Sequence, residues 1–371
     1  MTPARHPLRF AAGVLVHARL VGALGPGVAR RHIRLTREHV RDQAGAAATL
    51  HREVWTDAAR ATGAALTEIG GGRREAHRDG RSVVIDGNNT AIDSQETFDR
   101  LLDKTWTHTR LTGARLRVPH HRRVAARDIR GATAFLRAAR GAIVVKPAGG
   151  TGAGWGITCG VRTLPDLVLA MLDAARYCPD VLLEEQAPGK MYRVLVLDGA
   201  VIDVVRRGSP TVTGDGRSTV GELIEAENRR RLDAAGDLGL MLLRADLDCV
   251  LHLRDHGLRL RSVPDAGRVL TVKTSSSESQ PEDSDTISTP MHAALVEDVR
   301  TAARVLGLRL AGVDLVTPSL EQPLGESGGA IVEVNARPGL RYHYQVRNRV
   351  AATPVARMIL QHHLNQGRDL T

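Results

Sequence analysis

Two short runs near the C-terminal end, Gly312-Val313-Asp314 and Ile331-Val332-Glu333-Val334-Asn335, set polar oxygens into otherwise apolar, β-branched segments. Such runs, bounded by Gly and Pro, read as strands. Side chains two apart in a strand share a face. Glu333 and Asn335 are therefore expected side by side, with Asp314 supplied by a neighbouring strand. An unpaired carboxylate in an apolar strand is costly to bury, so these positions call for a charged or metal partner. Hard oxygen ligands on a rigid sheet suit Mg²⁺, which binds through a few carboxylates plus substrate phosphates. Asn335 has a plainer reading too, as a cap for the turn at Pro338-Gly339.

A second feature lies upstream. Val144-Val145-Lys146-Pro147 reads as the end of a buried strand, and Gly149, Gly150, Gly152, Gly154 and Gly156 crowd the turn after it. Glycines let backbone N–H groups approach phosphate oxygens closely. Most Gly-rich turns are only flexible connections. This one is no Walker A loop, since no Gly-Lys-Ser/Thr ends it, and its spacing is not that of a dinucleotide fingerprint. The lysine just before the turn and the acidic set downstream together point to an enzyme that holds Mg-ATP.

The chain of 371 residues is long enough for two or three compact units. Its three cysteines are far apart and form no metal-ligand spacing, which suits a reducing compartment. No apolar run approaches the roughly 20 residues of a membrane helix. Phe10 to Val16 follows two arginines like a weak signal peptide, but His17 and Arg19 interrupt it. It reads as a first strand, and the chain as cytoplasmic.

The expected class is α/β (α+β). Residues 1–97 read as a small N-terminal α/β domain, with a helix at Val54 to Leu66 and a strand at Ser82 to Ile85. Residues 98–183 read as a linker helix, Thr97 to Thr112, and a lid unit, with a strand at Ala142 to Val145 and a helix at Leu164 to Tyr177. Residues 184–371 read as a C-terminal unit holding the acidic set. It has a hairpin turning at Asp198-Gly199, helices at Val220 to Arg231 and Met291 to Gly307, and loops at Thr274 to Thr289 and Ser319 to Gly329.

In order, Asp103-Lys104, Val144-Val145-Lys146-Pro147, Leu183-Glu184-Glu185, Pro188-Gly189-Lys190-Met191-Tyr192-Arg193, Arg206-Arg207, Gly214-Asp215-Gly216-Arg217-Ser218-Thr219-Val220, Ala311-Gly312-Val313-Asp314 and Glu333-Val334-Asn335-Ala336-Arg337-Pro338-Gly339-Leu340-Arg341 resemble the ATP-grasp superfamily. The similarity is strongest to its cyanophycin-synthetase and bifunctional glutathione-synthetase branch, over about residues 98–345. It implies two α+β subdomains gripping ATP, preceded by a small α/β domain. It also implies a carboxylate–amine ligase of amino acids or small peptides, working through an acyl phosphate and often homodimeric.

The resemblance implies roles at matching positions. Lys104 and Lys146 would contact the ATP phosphates, with Gly150, Thr151, Gly152, Gly154 and Gly156 as a mobile cover. Glu184, Glu185 and Ala187 would read adenine, largely through backbone groups. Arg206 would lie near the transferred phosphoryl group. Asp314, Glu333 and Asn335 would hold two Mg²⁺ ions. Arg193, Lys273 and Arg341 would meet the substrate. Two departures stand out. Met191 replaces the acid that usually binds ribose, and Lys273-Thr274-Ser275-Ser276-Ser277-Glu278-Ser279 replaces the family's substrate-contacting stretch. The ligase domain that follows in cyanophycin synthetases finds no counterpart, so the chain is not expected to polymerise cyanophycin.

A net charge of +10 also admits a nucleic-acid-binding protein, or a degenerate ATP-binding module. Against the first, only four of the 51 basic residues are lysines, a bias that fits high-GC coding, and aromatic stacking platforms are few.

Overall fold

The structure, a computed structural model, describes residues 49–152, 154–233 and 240–365. The expected strand at Phe10 to Val16 lies outside these residues. A helix over residues 49–62 precedes an antiparallel meander of β1 (Ala65–Gly70), β2 (Arg73–Arg78) and β3 (Arg81–Ile85). Gly63, at φ 68°, stops the helix, so Leu66 lies in a strand and not in the expected helix.

The expected helix from Thr97 to Thr112 is two helices, Gln95–Leu101 and Lys104–Gly113. Asp103 causes the break. Its carboxylate accepts from the backbone N–H of Thr105 (2.8 Å) and Trp106 (3.2 Å), and so caps a new helix that begins at Lys104.

A four-stranded antiparallel sheet follows, in the order β4 (His121–Ala125), β7 (Asp180–Glu185), β5 (Ile143–Pro147), β6 (Thr158–Val161). Helix Leu164–Ala175 covers it. Thr163 caps that helix, Pro165 sits in its first turn, and Leu167, Ala170, Met171 and Ala174 form its buried stripe. The second sheet contains the hairpin of β8 (Lys190–Leu197) and β9 (Ala200–Arg207). Its turn residues Asp198 (φ 42°) and Gly199 (φ 78°) are both left-handed, as the Asp-Gly pair predicts.

Between β9 and the next strand of that sheet lies an inserted unit. It contains the ribbon of β10 (Thr211–Thr213) and β11 (Val269–Thr271), helices Val220–Asp233 and Leu247–Asp255, and a small core of its own. The sheet then takes β12 (Asp285–Thr286), β13 (Leu310–Thr317) and β14 (Ala330–Asn335), in the order β12-β9-β8-β13-β14. The expected loop at Thr274 to Thr289 contains β12 and a 3₁₀ turn, Pro281–Asp283. The expected loop at Ser319 to Gly329 holds a short helix, Leu324–Ser327, anchored by buried Leu324.

The faces of this sheet explain its odd composition. Tyr192, Val194, Val313, Leu315, Ile331 and Val334 join one core with helix Ala293–Val305. Arg193, Asp314, Glu333 and Asn335 line the cavity between this sheet and the four-stranded one. Period-two alternation, reset in β14 by a bulge at Val332, thus sends apolar residues to a core and charged ones to a cleft.

Candidate active site

The cavity has a volume of about 910 Å³. Both sheets, the Gly-rich turn and residues 274–277 of the inserted region wall it. At one end Lys104 and Lys146 face the acidic set. The Lys104 Nζ donates to Glu333 Oε1 at 2.7 Å. The Lys146 Nζ lies 2.7 Å from Glu184 Oε1 and donates to the Val332 carbonyl at 3.4 Å. Helix Lys104–Gly113 supplies a second partner to Glu184, the His108 Nε2 at 2.7 Å.

Burial pushes the Glu184 carboxyl up, but the Lys146 ammonium and the His108 contact outweigh it and hold the group at about 2. Glu333 is likewise opposed by burial and brought to about 2 by Lys104 and Lys146. Burial lowers His108, so its ring is neutral at pH 7 and its Nε2–H donates to the carboxylate.

Asp314 and Glu333 are directly paired across β13 and β14, as their strands required. Arg193 grips Asp314 with two hydrogen bonds, Nε to Oδ1 at 2.5 Å and Nη2 to Oδ2 at 2.8 Å. The pair is buried, and Gly312 makes room for it, since a Cβ there would lie 2.7 Å from Pro338 and 3.2 Å from the arginine. Arg193, expected at the substrate, is thus engaged with a carboxylate expected at the metal. Asn335 turns its Nδ2 toward Asp314 Oδ2 at 3.4 Å. Among the described residues no three His, Cys, Asp or Glu form a metal cluster. The oxygen donors here are two carboxylates and one amide, and this set fits a hard cation that draws its remaining ligands from phosphate.

Val144, which pairs with Glu184 across β5 and β7, Ile157 and Met191 give the cavity lining apolar side chains, and Glu184, Glu185 and Ala187 line it too. Glu184 lies inside β7, with β4 and β5 on either side, and its side chain reaches Lys146. Thr151, Gly152 and Gly154 of the turn line the cavity, and Gly150 lines an adjoining one of about 360 Å³. Gly156 is turned against Tyr177 and Pro147.

Lys273 requires a correction. It was expected at the substrate, but it is buried away from the cavity lining, 2.7 Å from Asp246 Oδ2 and 3.2 Å from both oxygens of Glu278. Glu278 also holds Arg244, whose guanidinium stacks on Trp155 of the turn at 4.1 Å. Lys273 is therefore the centre of an ion cluster that fixes the wall. Arg206 lines the cavity but is paired with Asp285. Arg341 lines it too, donating to the Tyr342 hydroxyl at 2.9 Å.

Three residues of the cavity region escaped the sequence reading. His108 lies one helical turn from Lys104, a spacing that could have pointed to it. Arg207 and Tyr342 each stand beside a residue that was singled out, and nothing in their local pattern separates them from it.

No protein-family model matches the chain. The chain is 35% identical over 202 residues to a cyanophycin synthetase of Nostoc sp. (strain PCC 7120), a match covering 54% of this chain and 22% of that protein. It is 30% identical over 274 residues to a bifunctional glutathione-biosynthesis protein of Enterococcus faecalis, covering 72% of this chain and 36% of the relative. The chain thus spans about a third or less of either relative's length. A crystal structure of a bifunctional glutathione synthetase from Pasteurella multocida superposes with a TM-score of 0.51 at 22% identity, covering 81% of this chain and 41% of that one. That likeness shows a shared fold.

Proposed function

We propose that this chain, which has the ATP-grasp fold and is homologous to ATP-grasp ligases, is an ATP-dependent carboxylate–amine ligase. It would join an amino acid or small peptide to an amine and release ADP and phosphate. One observation carries the reading. Two lysines on different elements, half-buried Lys104 and buried Lys146, face the paired carboxylates Asp314 and Glu333 within one cavity between two sheets, Lys104 bonded to Glu333 and Lys146 to Glu184.

In this reading adenine lies on Val144, Ile157 and Met191, against the segment Glu184 to Ala187. The triphosphate runs toward Lys104 and Lys146 beneath Thr151, Gly152 and Gly154. Asp314, Glu333 and Asn335 would hold Mg²⁺, two ions in the expected arrangement. A metal held there would spread the charge that develops on the phosphate during transfer. The substrate carboxylate attacks the γ-phosphorus and an acyl phosphate forms. An amine then displaces phosphate.

Such transfer is largely positioning plus charge stabilisation. Lys104 and Lys146 supply fixed positive charge in a partly desolvated site. Both are held by carboxylates, so ligand phosphates must replace or share those partners. Arg206 would likewise exchange Asp285 for the phosphoryl group. The Gly-rich turn, packed on Ser277 and Arg244, excludes water that would hydrolyse the acyl phosphate. The division into units at residues 98 and 184, and a homodimeric assembly, belong to the same proposal.

A hydroxylamine trap tests it. The protein is incubated with Mg-ATP, pooled amino acids and small carboxylates, and hydroxylamine, then read by mass spectrometry and phosphate release. A hydroxamate names the activated acid. Unimpaired ATP turnover in both Glu333→Gln and Lys146→Ala sinks the site assignment.

A further inference from the structure

We propose that Tyr342 is the base that takes the proton from the incoming amine in the ligation step. The proposal rests on the ligase reading above and adds a residue to the same cavity. Tyr342 belongs to the short helix Arg341–Tyr344, lines the cavity, and is enclosed by guanidinium groups from three elements. The Arg341 Nη2 donates to its hydroxyl oxygen at 2.9 Å, and that guanidinium lies 4.7 Å from the ring centroid. Arg207 of β9 lies over the ring at 3.9 Å, and Arg193 of β8 at 5.5 Å.

The charge balance around the ring is uneven. Asp314 compensates Arg193. Arg207 is buried and donates from Nη2 to the Ser276 carbonyl at 3.2 Å, and its Nε is buried without a partner. No carboxylate pairs with Arg207 among the described residues. Behind the ring, Asp203 is held by His343 at 2.5 Å and by the Thr353 hydroxyl at 2.6 Å. Burial favours the neutral form of that histidine. A buried cation needs an anion, and the group placed against Arg207 is a phenol.

Ionised, that phenol supplies the missing negative charge and binds the guanidiniums on its face more strongly. Burial alone would push the phenol up, but Arg341 and Arg207 outweigh it and bring it down to about 7. The other three tyrosines are all raised, Tyr344 to about 12. Position supports the role. Arg193 touches Asp314 on one side and the ring on the other, so the phenol stands one guanidinium away from the carboxylate end of the cavity.

The step balances. An amine arrives as an ammonium ion with no free electron pair. The phenolate takes one proton, breaking an N–H bond and forming an O–H bond. The freed pair attacks the acyl-phosphate carbon and the C–N bond forms. The C–O bond to the phosphoryl group breaks, and phosphate leaves with its electrons and accepts the second N–H proton. Tyr342 then returns its proton to solvent.

Two measurements test this. Tyrosinate absorbance is titrated in the unaltered protein, in Tyr342→Phe and in Arg341→Gln. The trap is run with the same acid pool, with hydroxylamine and ammonium chloride in competition. Hydroxylamine is uncharged near neutral pH and needs no base before it attacks. One tyrosine should titrate near pH 7, vanish in Tyr342→Phe and move upward in Arg341→Gln. The ratio of hydroxamate to amide should rise at least about tenfold in Tyr342→Phe. A tyrosinate signal that survives Tyr342→Phe, or that begins only above about pH 9 in the unaltered protein, overturns the proposal. So does an equal loss of both products, which marks a structural stack. Failure of the unaltered protein to form any hydroxamate overturns the ligase reading and the base with it. Hydroxamate with an unmoved ratio overturns the base alone.

Discussion

At the residue scale, the charged groups of this cavity region divide by whether their side chains reach the cavity. Lys273 has two carboxylates and no cavity wall, so its burial serves the fold. Removing one partner of a buried ion pair strands the others. Lys273→Met should therefore destabilise the chain by about 3–5 kcal/mol, read from denaturant melts, and a Michaelis constant that rises with stability unchanged would contradict this. Glu333 is different, since its side chain is 38% exposed toward the cavity. Glu333→Gln should lower phosphate release by about 10²–10³-fold, a loss that outstrips any shift of the melting curve. Gly312 lies under Arg193 and Pro338, and a Cβ there would overlap the Pro338 ring at 2.7 Å and crowd the guanidinium at 3.2 Å. Gly312→Ala should destabilise by about 1–3 kcal/mol, a loss that calorimetry would register.

At the scale of elements, helix Lys104–Gly113 is the part that joins the two sheets. Its cap Asp103 pairs with Arg123 of β4, its first residue Lys104 reaches β14, and His108 reaches β7. Its backbone also meets the start of the Gly-rich turn, with the Lys104 N–H donating to the Ala148 carbonyl at 3.1 Å. The link through Glu184 carries a pH signature. Its pKa is depressed from 4.5 to about 2 on folding, so it contributes stability above the unfolded value and loses it as pH falls through the folded one. Acid destabilisation should therefore develop between about pH 4.5 and pH 2. The stability gap between the unaltered chain and Glu184→Gln should be widest at neutral pH and close toward pH 2. A gap that stays constant with pH would show that Glu184 is not held by Lys146 and His108.

At the scale of the whole molecule, the cavity exists only where two sheets and an inserted unit meet, so a ligand there ties three bodies together. A ligand that binds only the folded state stabilises it by about 2.7 kcal/mol at one hundred times its dissociation constant. Mg-ATP should raise the melting temperature of the unaltered protein and do so much less in Lys146→Ala, and an identical rise in both would place the nucleotide elsewhere. The arginine excess has a structural use at this scale. Arg193 and Arg244 hold carboxylates in the interior, Arg206 holds one at the cavity, and Arg123, Arg254 and Arg309 hold theirs at the surface. Among the described residues no helix is long and apolar enough to cross a membrane.

Local chemistry made the hairpin at Asp198-Gly199, the strand before Lys146, and the shared face of Glu333 and Asn335 readable from the chain alone. Turn geometry and strand alternation depend on neighbours in sequence. The helix break at Asp103 was missed because a cap competes with a continuous apolar stripe, and backbone bonding to Ala148 favours the break. Which cations face a ligand was decided only in three dimensions. Lys273 and Lys146 look alike along the chain, and so do Arg206 and Arg207. Asp246 and Glu278 hold Lys273 away from the cavity while Glu184 holds Lys146 at its wall, and Asp285 pairs with Arg206 while Arg207 lies over the Tyr342 ring, so the energy of a buried charge is set by what folding brings beside it.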